Sequence, residues 1–278
     1  MKKNFSTLVN KNTITSIAIG GFDGMHKAHQ ELFNKLDENG AILSIESDYS
    51  SLTPKKYRQE YSTYPIFYYL LKEIKHLNGE EFIKLLKKDY PKLEKIVVGF
   101  DFCFGKNRTS CINQLKELFD GKVLVINEFK INNISVHSRT IKEYISNGFI
   151  KKANEFLGKE YKIYGKQIKG QGLGSKSFVP TINLKVKDFL LPQSGVYITK
   201  TILNEKEYNS ITFLGHRITT DGSFAIETHI LDKDIKNDDY EIAIKFYKKI
   251  RDNKKFESFE ELKKQILNDI ESAKIFFC

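Results

Sequence analysis

The 278-residue chain is long enough for two domains that each bury a core of their own. A composition of 40% hydrophobic and 29% charged residues is that of a globular protein, and no apolar run approaches the roughly 18 residues of a membrane helix, which excludes a helical membrane protein and predicts a soluble one. The formal net charge of +10 comes mostly from lysines spread along the chain, with five arginines and no long basic block, so it reads as surface charge suited to anionic nucleotide substrates and not as a nucleic-acid-binding face.

Residues 1–12 hold no apolar stretch leading to a small-residue cleavage site, so no secretory signal is expected and the chain is placed in the cytoplasm. The segment 14–20 is short, apolar and rich in β-branched residues. It runs through glycines into 26–36, where Ala28, Leu32, Phe33 and Leu36 fall on one side of a helix. A second strand is expected at 41–46, a helical region at 65–76 and a helix at 80–88. A buried strand follows at 96–99, a helix at 111–119 and a strand at 123–126. Strands alternating with helices predict an α/β domain, a parallel sheet wrapped by helices. Cys103, Cys111 and Cys278 are an odd number with no CxxC pair, so they are expected to be reduced, forming neither a disulfide framework nor a zinc site.

After a helical pattern at 141–157 that ends in Gly158, the texture changes. Strand-like segments follow at 161–167, 181–186, 195–203, 208–214, 224–231 and 240–247, separated by Gly, Pro, Asn and Asp clusters, and 258–270 is helical. This predicts a small antiparallel barrel with one terminal helix. The glycine that ends the helix places the domain boundary between residues 1–158 and 159–278.

The most informative stretch of the first half is Gly20-Gly21-Phe22-Asp23-Gly24-Met25-His26-Lys27-Ala28-His29. Glycines between a strand and a helix let the backbone approach a polyphosphate, and a helix start offers N–H groups and partial positive charge. His26 and His29, three apart, share a helix face, and both can donate to phosphate oxygens as charge develops on an attacked α-phosphate. Spacing alone fits two solvent-facing histidines beside a tight turn equally well.

The stretch resembles the GxFDGxHxGH motif of the nucleotidyltransferase superfamily, in the form found in bacterial bifunctional riboflavin kinase/FAD synthetases. A second block, Val97-Val98-Gly99-Phe100-Asp101-Phe102-Cys103-Phe104-Gly105, is similar to the strand and loop that meet the adenine nucleotide and the flavin in that family. The resemblance implies a Rossmann-like nucleotidyltransferase domain in which Gly21, Phe22, Asp23, His26 and His29 hold ATP and Asp101 positions the nucleotide. The family's later SSTxxR motif is represented by Ser138-Arg139-Thr140-Ile141-Lys142, so Ser138, Arg139 and Lys142 are the expected phosphate-facing residues. Lys142 is a point charge where an arginine fork is common. Ala28 replaces a glycine, and the usual Thr-Phe-x-Pro-His-Pro stretch is absent from 44–54. Adenylylation is therefore expected to be weaker than in better-matched relatives.

In the second half Gly165, Gly170, Gly172 and Gly174 precede Pro180-Thr181-Ile182-Asn183-Leu184. Clustered glycines suit a loop that covers phosphates, and residues two apart on a strand share a face, so Thr181 and Asn183 are candidates to hold a metal–phosphate group together. The sequence also carries Leu191-Pro192 with Gly195-Val196-Tyr197, Phe213-Leu214-Gly215-His216-Arg217-Ile218-Thr219, Ile226-Glu227-Thr228-His229-Ile230-Leu231-Asp232 and Ile250-Arg251. In this order the blocks resemble the riboflavin kinase domain, which implies a six-stranded antiparallel β-barrel with a C-terminal helix. The resemblance also implies Thr181 and Asn183 on Mg²⁺ and ATP phosphates, and Glu227 as the base that takes the ribityl hydroxyl proton. Ser175 and Phe178 stand where an arginine and a glycine are common. Arg251 faces the flavin or nucleotide, or serves as a surface ion-pair partner; both stay open.

Three functions are compatible: an enzyme making FMN from riboflavin and ATP and then FAD from FMN and ATP, a riboflavin kinase carrying a nucleotide-binding module, or a flavin sensor without turnover. The intact Thr181, Asn183 and Glu227 set disfavours the last. No nucleic-acid or membrane partner is expected, and oligomeric state is not legible.

Overall fold

The computed structural model describes residues 9–47, 51–168, 179–217, 222–231 and 241–278. The chain divides into two compact units, Met1–Ser138 and Arg139–Cys278.

The first unit runs β1 (Ser16–Gly20), α1 (Lys27–Phe33), β2 (Gly40–Glu46), α2 (Lys55–Arg58), β3 (Ile66–Leu70), α3 (Leu71–Ile74), α4 (Gly79–Asp89) and β4 (Lys95–Gly99). The two-residue strands β5 (Cys103–Phe104) and β6 (Ser110–Cys111), then α5 (Ile112–Leu118), β7 (Lys122–Ile126), β8 (Lys130–Ile131) and β9 (Ile134–Ser135) complete it. Its parallel sheet has the order β3-β2-β1-β4-β7. Strand parity sorts the core into two layers. Ile17, Ile19, Leu43, Ile96 and Val98 meet Phe82, Leu86, Tyr90 and Leu115 on one face. Ala18, Ile42 and Val97 meet Met25, Leu32 and Phe33 on the other. The chain leaves β1 toward β2 on one side while β4 lies on the other, so the sheet order reverses between β1 and β4. The carboxyl ends of strands at such a point are where open α/β sheets bind ligands. Both blocks singled out in the first half, the glycine turn after β1 and the Gly99-Phe100-Asp101 turn after β4, lie there.

Three expectations are corrected in this unit. The region 65–76 is a strand, β3, followed by the single turn α3: Ile66-Phe67-Tyr68-Tyr69-Leu70 is β-branched and aromatic and pairs with Ile42 to Glu46, so sheet pairing overrides the helical pattern. Helix α1 stops at Phe33, and the next residues tighten into turns through Lys35 N–H to Leu32 O and Leu36 N–H to Phe33 O, both at 3.1 Å. Cys103 and Cys111 are not reduced but joined in a disulfide, because the hairpin through Gly105, at φ 74°, sets them directly opposite in the β5–β6 ladder. Cys278 is free and exposed.

Helix α6 (Ser138–Ser146) begins at the division, and α7 (Ile150–Leu157) follows. The single helical pattern expected at 141–157 is broken at Gly148, which adopts φ 74°. Helix α7 ends at Gly158 in the left-handed conformation, as the glycine implies. Asn154 of α7 donates to Phe246 O and accepts from Tyr161 N–H, each at 2.8 Å, so α7 is fastened to the second unit. Helices α6 and α7 thus belong to the second compact unit.

The barrel strands are β10 (Tyr161–Ile168), β11 (Ile182–Val186), β12 (Gly195–Leu203), β13 (Lys206–His216), β14 (Phe224–Ile230) and β15 (Glu241–Asp252), closed antiparallel in the order β10-β11-β14-β13-β12-β15. The β12–β13 hairpin turns on Asn204 and Glu205, both with positive φ, the pairing that a two-residue hairpin favours. Among the described residues the barrel buries five Ser and Thr hydroxyls with no exposure: Thr199, Thr201, Ser210, Thr212 and Thr228. They close a ring of hydrogen bonds, Thr199–Ser210, Ser210–Thr201, Thr201–Thr228, Thr228–Thr212 and Thr212–Thr199, at 2.8 to 3.1 Å. Each hydroxyl can donate once and accept once, which satisfies a buried polar core. The terminal helix α8 (Phe259–Phe277) is capped by Ser258, whose side chain accepts from Glu261 N–H. No helix among the described residues is long and apolar enough to cross a membrane.

Candidate active sites

In the first unit His26 is the N-cap of α1, one residue before the helix, and its Nδ1 accepts from His29 N–H at 3.4 Å. With Nδ1 as acceptor, the neutral ring carries its proton on Nε2. The His26 and His29 rings stack with centroids 3.4 Å apart, and Phe22 meets His29 edge-on at 5.1 Å. The expected pairing of the two histidines is thus present, though through a cap and a stack. Phe22 and Met25 hold φ of 46°, a conformation rare for such residues, and Met25 N–H bonds Phe22 O at 3.2 Å. The Asp23 carboxylate accepts from Thr53 N–H at 3.0 Å, and its carbonyl accepts from Ser138 Oγ at 2.7 Å. Ser138 is thus hydrogen-bonded to the turn itself.

Two further side chains support this turn. Arg58, 2% exposed, donates from Nε to Thr53 O at 2.9 Å and from Nη1 to Gly21 O at 3.1 Å, Ser44 Oγ at 2.5 Å and Glu46 Oε1. Ser44, with no exposure, also donates to Gly21 O at 3.1 Å. Asp101 is exposed in the turn after β4, where its carbonyl accepts from Arg108 at 3.4 Å. Arg139 and Lys142 lie on α6 and fall in the second unit; the Arg139 side chain is 91% exposed and pairs with Glu143 at 3.5 Å.

In the barrel, Asn183 on β11 stands directly opposite Glu227 on β14. Arg217, at the end of β13, joins them. Its Nε and Nη2 donate to Glu227 Oε1 at 2.8 and 2.5 Å, Nη2 donates to Asn183 Oδ1 at 2.7 Å, and Nη1 donates to Ser223 Oγ at 2.8 Å. Both Arg217 contacts to Glu227 fall on Oε1. Thr181 is exposed and precedes the first residue of β11, so it flanks the strand that carries Asn183. His229 ties β14 to this entry segment by a 2.8 Å bond between Nδ1 and Pro180 O. Gly170, Gly172 and Gly174 lie outside the described residues, as do Ser175 and Phe178. Arg251 makes a fork with Asp269 of α8, at 2.8 to 3.1 Å, and lies over the Phe256 ring. Its partner Asp269 is buried at 2% exposure.

Sequence reading quoted Arg217 within a motif without a role and missed Arg58. The available signal was scarcity, since the chain spends only five arginines among 45 basic residues. An arginine in a lysine-dominated chain is a candidate for a site that needs a planar fork.

A glycine turn at a sheet switch point in one unit, and a carboxylate set against a polar amide in the other, fit a two-headed nucleotide-dependent transferase. Residues 157–277 match the riboflavin kinase family and residues 62–140 the FAD synthetase family. The bifunctional riboflavin kinase/FMN adenylyltransferase of Buchnera aphidicola subsp. Acyrthosiphon pisum (strain APS) is 30% identical over 97% of this chain and 95% of its own length. That of Haemophilus influenzae is 27% identical over 94% of each, and that of Escherichia coli K12 is 25% identical over 94% of this chain and 92% of its own. The chain belongs to the bifunctional riboflavin kinase/FMN adenylyltransferase family. It is a flavin-biosynthetic enzyme with a kinase half and an adenylylating half. A crystal structure described as a macrolide-efflux protein from Streptococcus pneumoniae shares the fold, with TM-score 0.82 over 94% of each chain at 23% identity.

Proposed function

We propose that the two reactions run at the two sites described, with Glu227 as the base of the kinase and the glycine turn as the adenylylation site. The observation that carries the kinase assignment is the face-to-face placement of Glu227 and Asn183, bridged by Arg217. Glu227 Oε2 takes the proton of the primary ribityl hydroxyl as its oxygen bonds the γ-phosphorus of ATP, and the bond from the γ-phosphorus to the bridging oxygen breaks, releasing ADP. Arg217 holds Oε1, so the base is oriented before substrate arrives. Thr181 and Asn183 offer neutral oxygens, the donor type magnesium takes, and Asn183 Oδ1 already lies against a positive charge. These two residues would hold Mg²⁺, which when bound neutralises charge on the ATP phosphates.

In the other half, a phosphate oxygen of FMN bonds the α-phosphorus of ATP, and pyrophosphate leaves. His26 and His29 donate to oxygens where charge grows, and the backbone of Gly21, Phe22 and Asp23 lines the phosphates. Asp101 positions the nucleotide, and Ser138 completes the phosphate set. The enzyme is placed in the cytoplasm with small-molecule partners only. The test is an assay with riboflavin, ATP and Mg²⁺ that resolves FMN and FAD by chromatography, run on wild type, Thr181→Ala and His29→Ala. Thr181→Ala should lose FMN formation while converting added FMN to FAD, and His29→Ala should do the reverse. Loss of both activities in either folded variant contradicts separate sites.

A further inference from the structure

Arg58 sits on the one-turn helix α2 with 2% of its surface exposed. Burying a guanidinium is costly unless its charge and its donors are matched. Glu46 supplies the charge. Nε binds the Thr53 carbonyl, and Nη1, beside its contact with Glu46, meets the Gly21 carbonyl and Ser44 Oγ, so one side chain ties the glycine turn to the end of β2 and to the segment before α2. Thr53 in turn holds the Asp23 carboxylate through its N–H at 3.0 Å.

A trans peptide is planar, and its C=O and N–H point opposite ways. Pinning the Gly21 carbonyl on Arg58 and Ser44 therefore sets the Phe22 N–H to point away from both. Phe22 keeps φ 46°, which a bulky residue holds only where its surroundings over-determine it. Ser138 pins the Asp23 carbonyl at 2.7 Å, which sets the following peptide by the same rule.

We propose that Arg58 is a positioning residue of the adenylylation reaction, aiming the Phe22 N–H at the phosphates of a nucleoside triphosphate through Gly21 and fixing the Asp23 carboxylate through Thr53. The inference rests on the reading of the glycine turn as the ATP site.

The experiment uses the full chain, whose kinase activity serves as an internal reference. FMN-to-FAD conversion is followed at varied ATP for wild type, Arg58→Gln, Arg58→Lys, Glu46→Gln and His29→Ala. In Arg58→Gln, kcat/KM for ATP should fall by about 10- to 100-fold through a higher KM, with FMN formation from riboflavin unchanged. Lysine keeps the charge but cannot fork to Gly21, Ser44 and Thr53 at once, so Arg58→Lys should lose nearly as much. A role confined to folding would shrink the active fraction, lowering kcat and leaving KM alone. Wild-type KM for ATP in both arginine variants overturns the proposal. If Arg58→Gln fails to fold, Arg58→Lys and Glu46→Gln carry the comparison. Loss of FAD in His29→Ala beside unchanged Arg58 variants refutes only Arg58, whereas an unaltered His29→Ala refutes the ATP site and the inference together.

Discussion

Replacing Glu227 by glutamine separates the proton-accepting role proposed for this side chain from its place in the structure. Glutamine keeps an oxygen able to accept the Arg217 Nε and Nη2 donors that now reach Oε1 at 2.8 and 2.5 Å, so Arg217 and its contact with Asn183 at 2.7 Å should persist. The amide cannot take the hydroxyl proton. A positioned general base contributes about 10²- to 10⁴-fold, or about 2.7 to 5.5 kcal/mol of barrier. The variant should therefore form FMN at least about 100-fold more slowly, with KM for ATP nearly unchanged and FMN-to-FAD conversion intact. Initial rates at saturating riboflavin and ATP, with products separated by chromatography, give the answer. A glutamine variant with near wild-type kcat removes Glu227 as the base, and a raised KM with intact kcat makes it a binding residue instead. Alanine is a poorer probe, because it also strips Arg217 of its carboxylate.

Asp269→Ala should destabilise the second unit by about 3 to 5 kcal/mol, because it leaves Arg251 without the buried carboxylate that its fork grips. The corresponding calorimetric transition should fall by about 10 °C, and a shift of under about 3 °C would mean the fork is worth little. Lys159 supplies a pH dependence. Burial, with the Lys162 charge beside it, pushes its ammonium down to about 7 from 10.5. Between those values the unfolded chain holds a proton that the folded chain has released, so this group makes stability rise with pH from about 7 toward 10, by at most about 1.4 kcal/mol per unit. Below pH 7 the burial penalty is fully present. Lys159→Met should remove that slope from melting curves taken between pH 7 and 9, and an unchanged slope would assign it to other groups.

Much of the architecture was legible because it is written in local chemistry. The β1 strand follows from a short β-branched apolar run, and its turn and the barrel strands from glycine, proline and Asn/Asp punctuation that the chain displays locally. What escaped depends on distant partners. The strand β3 carries an apolar pattern that also suits a helix, and only the edge of β2 decides between them. The Cys103–Cys111 pair could not be read from cysteine arithmetic, since it needs the register of two two-residue strands. The break at Gly148 hides because glycine inside a helical pattern is often tolerated. For the sites, His26, His29, Asn183 and Glu227 stand in recognisable motifs. Arg58 and Arg217 act through carbonyls and carboxylates from other segments, and their sequence neighbours say nothing of those acceptors.

The closed ring of hydroxyls inside the barrel bears on catalysis without approaching a substrate. Neighbouring residues on a strand face opposite ways, and β14 places Thr228 in the ring and Glu227 beside Asn183 and Arg217. A slip of β14 by one position would push a carboxylate into the barrel and withdraw a member from the ring, leaving four hydroxyls with broken pairings. The ring therefore works as a phase lock: it rejects every odd offset of β14, and so decides which side of the wall Glu227 occupies. Aliphatic interiors tolerate sliding far better, because one methyl group contacts another with little regard for direction. A barrel filled with leucine and valine in those five places would be as well buried and much less certain of where its carboxylate points.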